Sequence, residues 1–244
     1  MTYCVGLLLK EALVFMADTR TNAGVDNIQT FRKLHTFEVP GDRALVILSA
    51  GNLATTQAVI STLFEREKSP EDRDPPILTA PSMFRVAKLV GETLRQEIQS
   101  TNGNGALADN GSFNATLIVG GQIKGGPMRL FMIYPEGNFV EAGPDTPFFQ
   151  IGETKYGRPI LVRAFDPEMS VPEAIKLLLV SFDSTVKANL AVAPPFDIQV
   201  IEKDALRLGP SWRIEPDDPY YTSLSVIWGD KLREAFESLP PFPG

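Results

Sequence analysis

Several residue types that common enzyme classes depend on are scarce in this sequence. The one cysteine, Cys4, excludes an internal disulfide framework and any cysteine-rich metal site. The one histidine, His35, leaves zinc with fewer His and Cys ligands than it takes from a protein. A Ser-His-Asp triad has only His35 to draw on, and no serine is marked as its nucleophile. A Cys4–His35 dyad is no better, because Cys4 falls within an apolar strand, where a lone cysteine acts as a small core residue. The GxSxG elbow, HExxH, the GxxxxGK[ST] loop and GxGxxG after a strand are all missing.

Basic residues are also few. Against 30 acidic residues stand 23 Lys and Arg, a net charge of -7. That argues against a nucleic-acid partner, since a phosphate backbone is held by clustered Lys and Arg. No basic run suggests a membrane surface, and no apolar run approaches the roughly 18 residues of a membrane span. The apolar stretch Tyr3–Leu9 is broken by Lys10-Glu11 and has no basic region before it, so it does not read as a signal peptide. With no disulfide framework either, the expected location is the cytoplasm.

A hydrophobic content of 43% over 244 residues is enough for a sizeable core, and the length suits one domain over 1–244. Residues 3–9 and 12–17 are short apolar runs joined by Lys10-Glu11, which reads as a hairpin buried on both faces. Residues 18–36 read as loop and short strand, and 43–50 as a strand ending at Gly51. Asn52 caps a helix expected over 53–67, and a second helix is expected over 82–100 after a Pro-rich connection at 70–81. A Gly/Asn-rich loop, expected to be mobile, covers Asn102–Ser112. Strands are expected at 114–120, 128–134 and about 138–151, then helices near 153–164 and at 171–189, the latter opened by Ser170, Pro172 and Glu173. A strand at 197–202, a helix over 219–238 and a Pro-rich surface tail complete the chain. Runs of strands alternating with runs of helices point to a layered α+β domain.

The start of the chain carries the most specific chemistry. A small residue after the initiator methionine permits removal of Met1, leaving Thr2 with a hydroxyl and a free α-amine together. An α-amine titrates near 7.7–8.0, so part of it is neutral near pH 7 and able to take the hydroxyl's proton. A threonine at position two is common, and alone it says little. If Lys10-Glu11 is a two-residue turn, paired residues sum to about 21, and Asp18 falls opposite Tyr3, beside Thr2. Lys33 is available to pair with that carboxylate, and an ammonium near Thr2 favours the alkoxide and a neutral amine. The alternative for both residues is an ordinary solvated surface.

These segments resemble a family. TYCVGLLL, LVFMADTRTNAGVDNIQTFRKLH and VILSAGN running into a helix are similar to the proteasome β-subunit and its bacterial relatives. The Met-Thr-Tyr start, ADTRTNAG-x-DN, FRKLH and DSTVKANLAVAPPFDIQV resemble the Anbu group in particular, and the likeness covers essentially the whole chain. The resemblance implies a four-layer αββα sandwich of the N-terminal nucleophile hydrolase type, self-associating into a ring or helical assembly. It implies Thr2 as nucleophile and base, Asp18 and Lys33 as its supporting pair, and the Gly51 N–H as oxyanion donor, a role suited to a helix N-terminus. The implied substrate is a peptide or other amide, with no metal or organic cofactor, and any unfolding ATPase is a separate protein. The sequence departs from the family pattern at Glu153, where active subunits carry serine, and at Asn189 and Val192, where they carry Asp and Ser. Glu153 is either a partner for the amine or a surface glutamate. A small-amide hydrolase using the same site and a catalytically silent subunit are the competing readings.

Overall fold

The computed structural model describes residues 2–22, 28–68, 75–102 and 113–243. Met1 and all but the first residue of the loop expected at Asn102–Ser112 therefore lie outside the described residues.

Strand β1 (Tyr3–Leu8) turns through Lys10-Glu11 into β2 (Ala12–Asp18). Their antiparallel register pairs Cys4 with Ala17 and Leu8 with Leu13, as the two-residue turn predicts. Apolar side chains cover both faces. Val5, Leu7, Val14 and Met16 point into one cluster, while Cys4, Leu13, Phe15 and Ala17 point into another. This double burial is why the two runs show no polar alternation, the pattern of a strand covered on both sides. The sheet is completed by β10 (Phe148–Gly152), β11 (Phe196–Glu202) and β12 (Ser211–Ile214), in the order β10-β1-β2-β11-β12.

A second sheet has the order β5-β6-β7-β8-β9. Its strands are β5 (Leu34–Val39), β6 (Arg43–Gly51), β7 (Ala115–Ile123), β8 (Arg129–Ile133) and β9 (Phe139–Glu141). Val46, Leu48 and Ile118 face the first sheet, and Leu45, Ile47 and Val119 face the other way. There the sheet packs on α1 (Leu53–Lys68) and α2 (Met83–Asn102) through Val59, Leu63, Val86, Val90 and Leu94. The first sheet packs its outer face on α3 (Arg158–Ala164) and α4 (Val171–Ala188), through Leu161, Leu178 and Phe182. Helix α5 (Pro219–Glu237) packs beside α4, with Tyr221 in the same cluster. Three apolar clusters thus separate four layers, the αββα sandwich that the resemblance implies. A short ribbon, β3 (Arg20–Asn22) with β4 (Ile28–Thr30), stands outside both sheets. Among the described residues no helix is long and apolar enough to cross a membrane.

Three boundaries differ from expectation. The segment about 138–151 is two strands, β9 in one sheet and β10 in the other, with the chain passing between sheets through a turn at Gly143–Thr146. Pro144 and Pro147 interrupt it, because proline cannot donate to a ladder. The helix expected from 153 begins only at Arg158, where Pro159 takes an early position that suits its fixed φ. Strand β12 was not expected at all: it is a largely exposed edge strand without an apolar run.

Other local signals hold. The Ser170 hydroxyl accepts from the Glu173 N–H while the Glu173 carboxylate accepts from the Ser170 N–H, a reciprocal cap opening α4. The Asn52 side chain accepts from the Thr55 N–H at 3.0 Å, capping α1.

Candidate functional site

At the end of β2, Asp18 is completely buried. One carboxylate oxygen, Oδ1, accepts from the Tyr3 N–H at 2.9 Å and from Lys33 Nζ at 2.9 Å. Lys33, only 4% exposed, also donates to the Arg20 carbonyl at 2.6 Å. The other oxygen, Oδ2, has no hydrogen-bond partner among the described residues. Burial pushes the Asp18 carboxyl above its ordinary value, opposed by the Lys33 ammonium and the Tyr3 N–H. A charged pair at this depth contributes little net stability, yet leaving either member alone costs about 3–5 kcal/mol.

Thr2 precedes β1 and is held from the other side by the end of β10. Its carbonyl accepts from the Glu153 N–H at 2.6 Å, and Tyr3 pairs with Gly152. Gly152 has φ +84°, and a Cβ there would collide with the Thr2 carbonyl oxygen. Only glycine lets the backbone pass so close to Thr2. Gly51, ending β6 with φ +118°, meets the same restriction against the Asn114 carbonyl.

Thr2, Lys33 and Gly51 line one cleft of about 490 Å³. Its remaining walls include Ser49, Ala50 and Gly152, together with Leu53, Thr56 and Gln57 from the first turns of α1. The positive end of that helix therefore borders the cleft, beside Gly51. The hairpin register, the lysine ahead of β5 and the strand-to-helix turn of β6 thus bring Thr2, Asp18, Lys33 and Gly51 to one place.

Glu153 and Asn189 come together elsewhere. Asn189, ending α4, donates from Nδ2 to Glu153 Oε2 at 3.0 Å and accepts from the Ala191 N–H at 3.0 Å. Neither lines the cleft, while the Glu153 backbone N–H donates to the Thr2 carbonyl. Val192 is buried in the core under α4.

Sequence reasoning missed Thr21, Arg32 and His35, which also line the cleft. A signal was available for His35, because β alternation places it on the same side as Lys33. Burial, and then the Arg32 charge, lower the His35 pKa to about 4, so its imidazole is neutral at pH 7. It also missed the support under Tyr3. The Tyr3 hydroxyl lies 2.8 Å from Ser181 Oγ and accepts from Gln150 Nε2, while Ser181 Oγ donates to the Gly157 carbonyl at 3.0 Å. Burial raises the Tyr3 phenol to about 12, keeping it protonated. No local signal announces this network, since Ser181 lies 178 residues from Tyr3. Among the described residues, no cluster of three or more His, Cys, Asp or Glu is arranged to hold a metal ion.

Chemically, the arrangement is a hydroxyl-bearing residue lining a cleft. A buried ammonium lies behind it, and a helix N-terminus stands alongside.

Comparison with known proteins identifies the family. Residues 2–201 match the family model described as proteasome subunit. A solved Anbu (Gly-1) mutant from Hyphomicrobium sp. strain MC1 is 48% identical, with a TM-score of 0.92 over all of both chains. Anbu from Yersinia bercovieri is 45% identical, with a TM-score of 0.92 over 99% of this chain and all of the other. The helical assembly of the Anbu complex from Pseudomonas aeruginosa gives 45% identity and a TM-score of 0.92, over 99% of this chain and 98% of that one. No curated protein matches. By sequence and by fold alike, the chain belongs to the proteasome subunit family, with the Anbu proteins among its relatives.

Proposed function

We propose that the chain is an N-terminal threonine hydrolase that cleaves amide bonds through an acyl-enzyme on Thr2. The observation that carries this reading is the buried Asp18–Lys33 pair set behind Thr2 in a cleft that Gly51 also lines. Removal of Met1 frees the Thr2 amine, which takes the hydroxyl's proton directly or through one water. The Lys33 ammonium favours the resulting alkoxide, and Asp18 holds that ammonium in place. Thr2 Oγ attacks the substrate carbonyl and the Gly51 N–H donates to the developing oxyanion, beside the positive end of α1. The amine returns the proton to the departing nitrogen, and water then releases the acyl group. No metal or organic cofactor enters the scheme.

The substrate is a peptide or a smaller amide, met in the cytoplasm by one β-subunit-like domain. The smaller amide is the second reading, because Glu153 stands in the sequence where active proteasome subunits carry serine. Copies of the chain self-associate, as the Pseudomonas aeruginosa relative does in its helical assembly. An unfolding ATPase, if one serves this hydrolase, is a separate protein.

Intact mass spectrometry before and after a peptide epoxyketone tests the site. The reagent needs adjacent hydroxyl and amine groups to close its ring adduct. Loss of Met1 and a single adduct, absent in Thr2→Ala, is the expected result. Retained Met1, or processed protein that no epoxyketone labels, would leave a catalytically silent subunit. A panel of amide substrates then separates peptide from small-amide cleavage.

A further inference from the structure

Thr2 becomes the first residue of the chain once Met1 is removed, and chain ends fray unless something ties them down. Thr2 itself is tied by its carbonyl, which accepts from the Glu153 N–H at 2.6 Å, and by the peptide bond to Tyr3. Tyr3 is completely buried and is held at both backbone and side chain. Its N–H donates to Asp18 Oδ1 at 2.9 Å, and its ring packs on Phe182 with centroids 4.5 Å apart. Its hydroxyl sits in a socket made by Gln150 of β10, Ser181 of α4 and Gly157, the residue that opens α3. The hydrogens there run one way. Ser181 Oγ gives its single hydrogen to the Gly157 carbonyl, so the Tyr3 hydroxyl donates to Ser181 Oγ and accepts from Gln150 Nε2. Gly157 belongs to the socket for a steric reason. Its φ of -84° suits any residue, yet a Cβ there would collide with both the Tyr3 and the Ser181 hydroxyl oxygens.

We infer that the Tyr3 hydroxyl and its socket position Thr2 for attack, with Tyr3, Gln150, Ser181 and Gly157 as positioning residues. None of the four lines the cleft, so each acts through the backbone of Tyr3 and not on the substrate. This rests on Thr2 as the nucleophile, proposed above, and adds what holds that nucleophile in place. Two features separate the socket from ordinary core packing. A phenylalanine would fill the apolar space beside Phe182 without burying a hydroxyl, a burial that costs free energy unless the hydroxyl is bonded. The socket's partners also come from three separate elements, so they fix the direction of the side chain as well as its depth. The peptide bond between Thr2 and Tyr3 is planar, with the two Cα atoms about 3.8 Å apart, so a shift of Tyr3 carries Thr2 with it. A displacement of about 1 Å lowers the rate of a well-placed reaction by about a hundredfold. The Tyr3 N–H also fixes Asp18, the carboxylate that holds Lys33, so nucleophile and ion pair share one anchor.

The rate of epoxyketone labelling, read by intact mass on the full chain, tests the inference. Tyr3→Phe and Ser181→Ala are each expected to lower the limiting rate at saturating reagent about tenfold, while the half-saturating concentration moves less than about twofold. Combined, they are expected to slow labelling no more than either alone, because both remove one contact. Independent damage at two places in the core would multiply to about a hundredfold. Leu63→Ala, in the helix layer on the other sheet, separates position from stability. It is expected to lower the thermal midpoint and leave the limiting rate unchanged. Unchanged limiting rates in Tyr3→Phe and Ser181→Ala, a multiplied effect in the pair, or an equal slowing in Leu63→Ala would each overturn the inference while leaving Thr2 as the nucleophile. A wild type that no epoxyketone labels would instead sink Thr2 as the nucleophile, and its positioning with it.

Discussion

Asp18 and Lys33 are charged residues deep in the fold, whereas Leu232, Phe236 and Leu239 are large apolar residues left in water. Each group reverses the usual partition of side chains between core and surface. The reversals differ in how they are compensated. The buried pair is compensated inside the chain, by an ion pair at 2.9 Å and by donation from Lys33 to the Arg20 carbonyl. The apolar side chains of Leu232 and Phe236 in α5, and of Leu239 just past it, stay exposed among the described residues. The first reversal is held by interactions inside the chain, and the second leaves apolar surface in water.

Single substitutions in the pair break this comparison most severely. Lys33→Ala is expected to lower stability by about 3–5 kcal/mol, by leaving the Asp18 carboxylate buried and alone, and to abolish epoxyketone labelling. Chemical denaturation and mass spectrometry read the two effects. Replacing both partners, Asp18→Leu with Lys33→Met, sharpens the point. Stability is expected to return to within about 2 kcal/mol of wild type while labelling stays absent, since an apolar pair of similar volume removes the desolvation cost but supplies no ammonium. If the double variant labels normally, the pair is structural only.

Next in size is a pH effect from His35. Its folded pKa is lowered to about 4, whereas an unfolded histidine titrates near 6.5. Between those values the unfolded chain holds more protons, so stability falls as pH drops from about 6.5 to 4, by up to about 3 kcal/mol. Denaturant midpoints across that window should fall in wild type and flatten in His35→Gln. Gly152→Ala comes third, at about 1–3 kcal/mol for a strained φ, with more from the collision at the Thr2 carbonyl. A thermal melt reads it, and loss of labelling should accompany it. The smallest effect belongs to α5. Measured on dilute, dissociated protein, Leu232→Glu/Phe236→Glu should change stability by no more than about 0.5 kcal/mol, because these positions are exposed in the single chain.

Much of the fold was legible because its signals are local. The two-residue turn at Lys10-Glu11 set the hairpin register, and that register alone placed Asp18 beside Tyr3. Asn52 and Ser170 announced their helices through capping chemistry that spans only three residues. The parts that differ from the sequence expectation lack so clear a signal. Strand β12 is a largely exposed edge strand of four residues, too short for its alternation to stand out. The break between β9 and β10 is written in Gly143-Pro144-Asp145 and Pro147, between the apolar ends Phe139-Val140 and Phe148-Phe149.

By itself, the sequence determined the alternation of strands and helices, the hairpin and its register, the helix caps, and the threonine that follows Met1. These depend on turn length, side-chain period and hydrogen bonds between residues close along the chain. Only the tertiary structure decided that Lys33 reaches Asp18, that His35 and Arg32 share the cleft with Thr2, and that Ser181 and Gln150 brace Tyr3. It alone showed that Leu232 and Phe236 of α5 stay exposed. Those facts depend on which layers meet and where each one ends, and packing between elements far apart in sequence leaves no local trace.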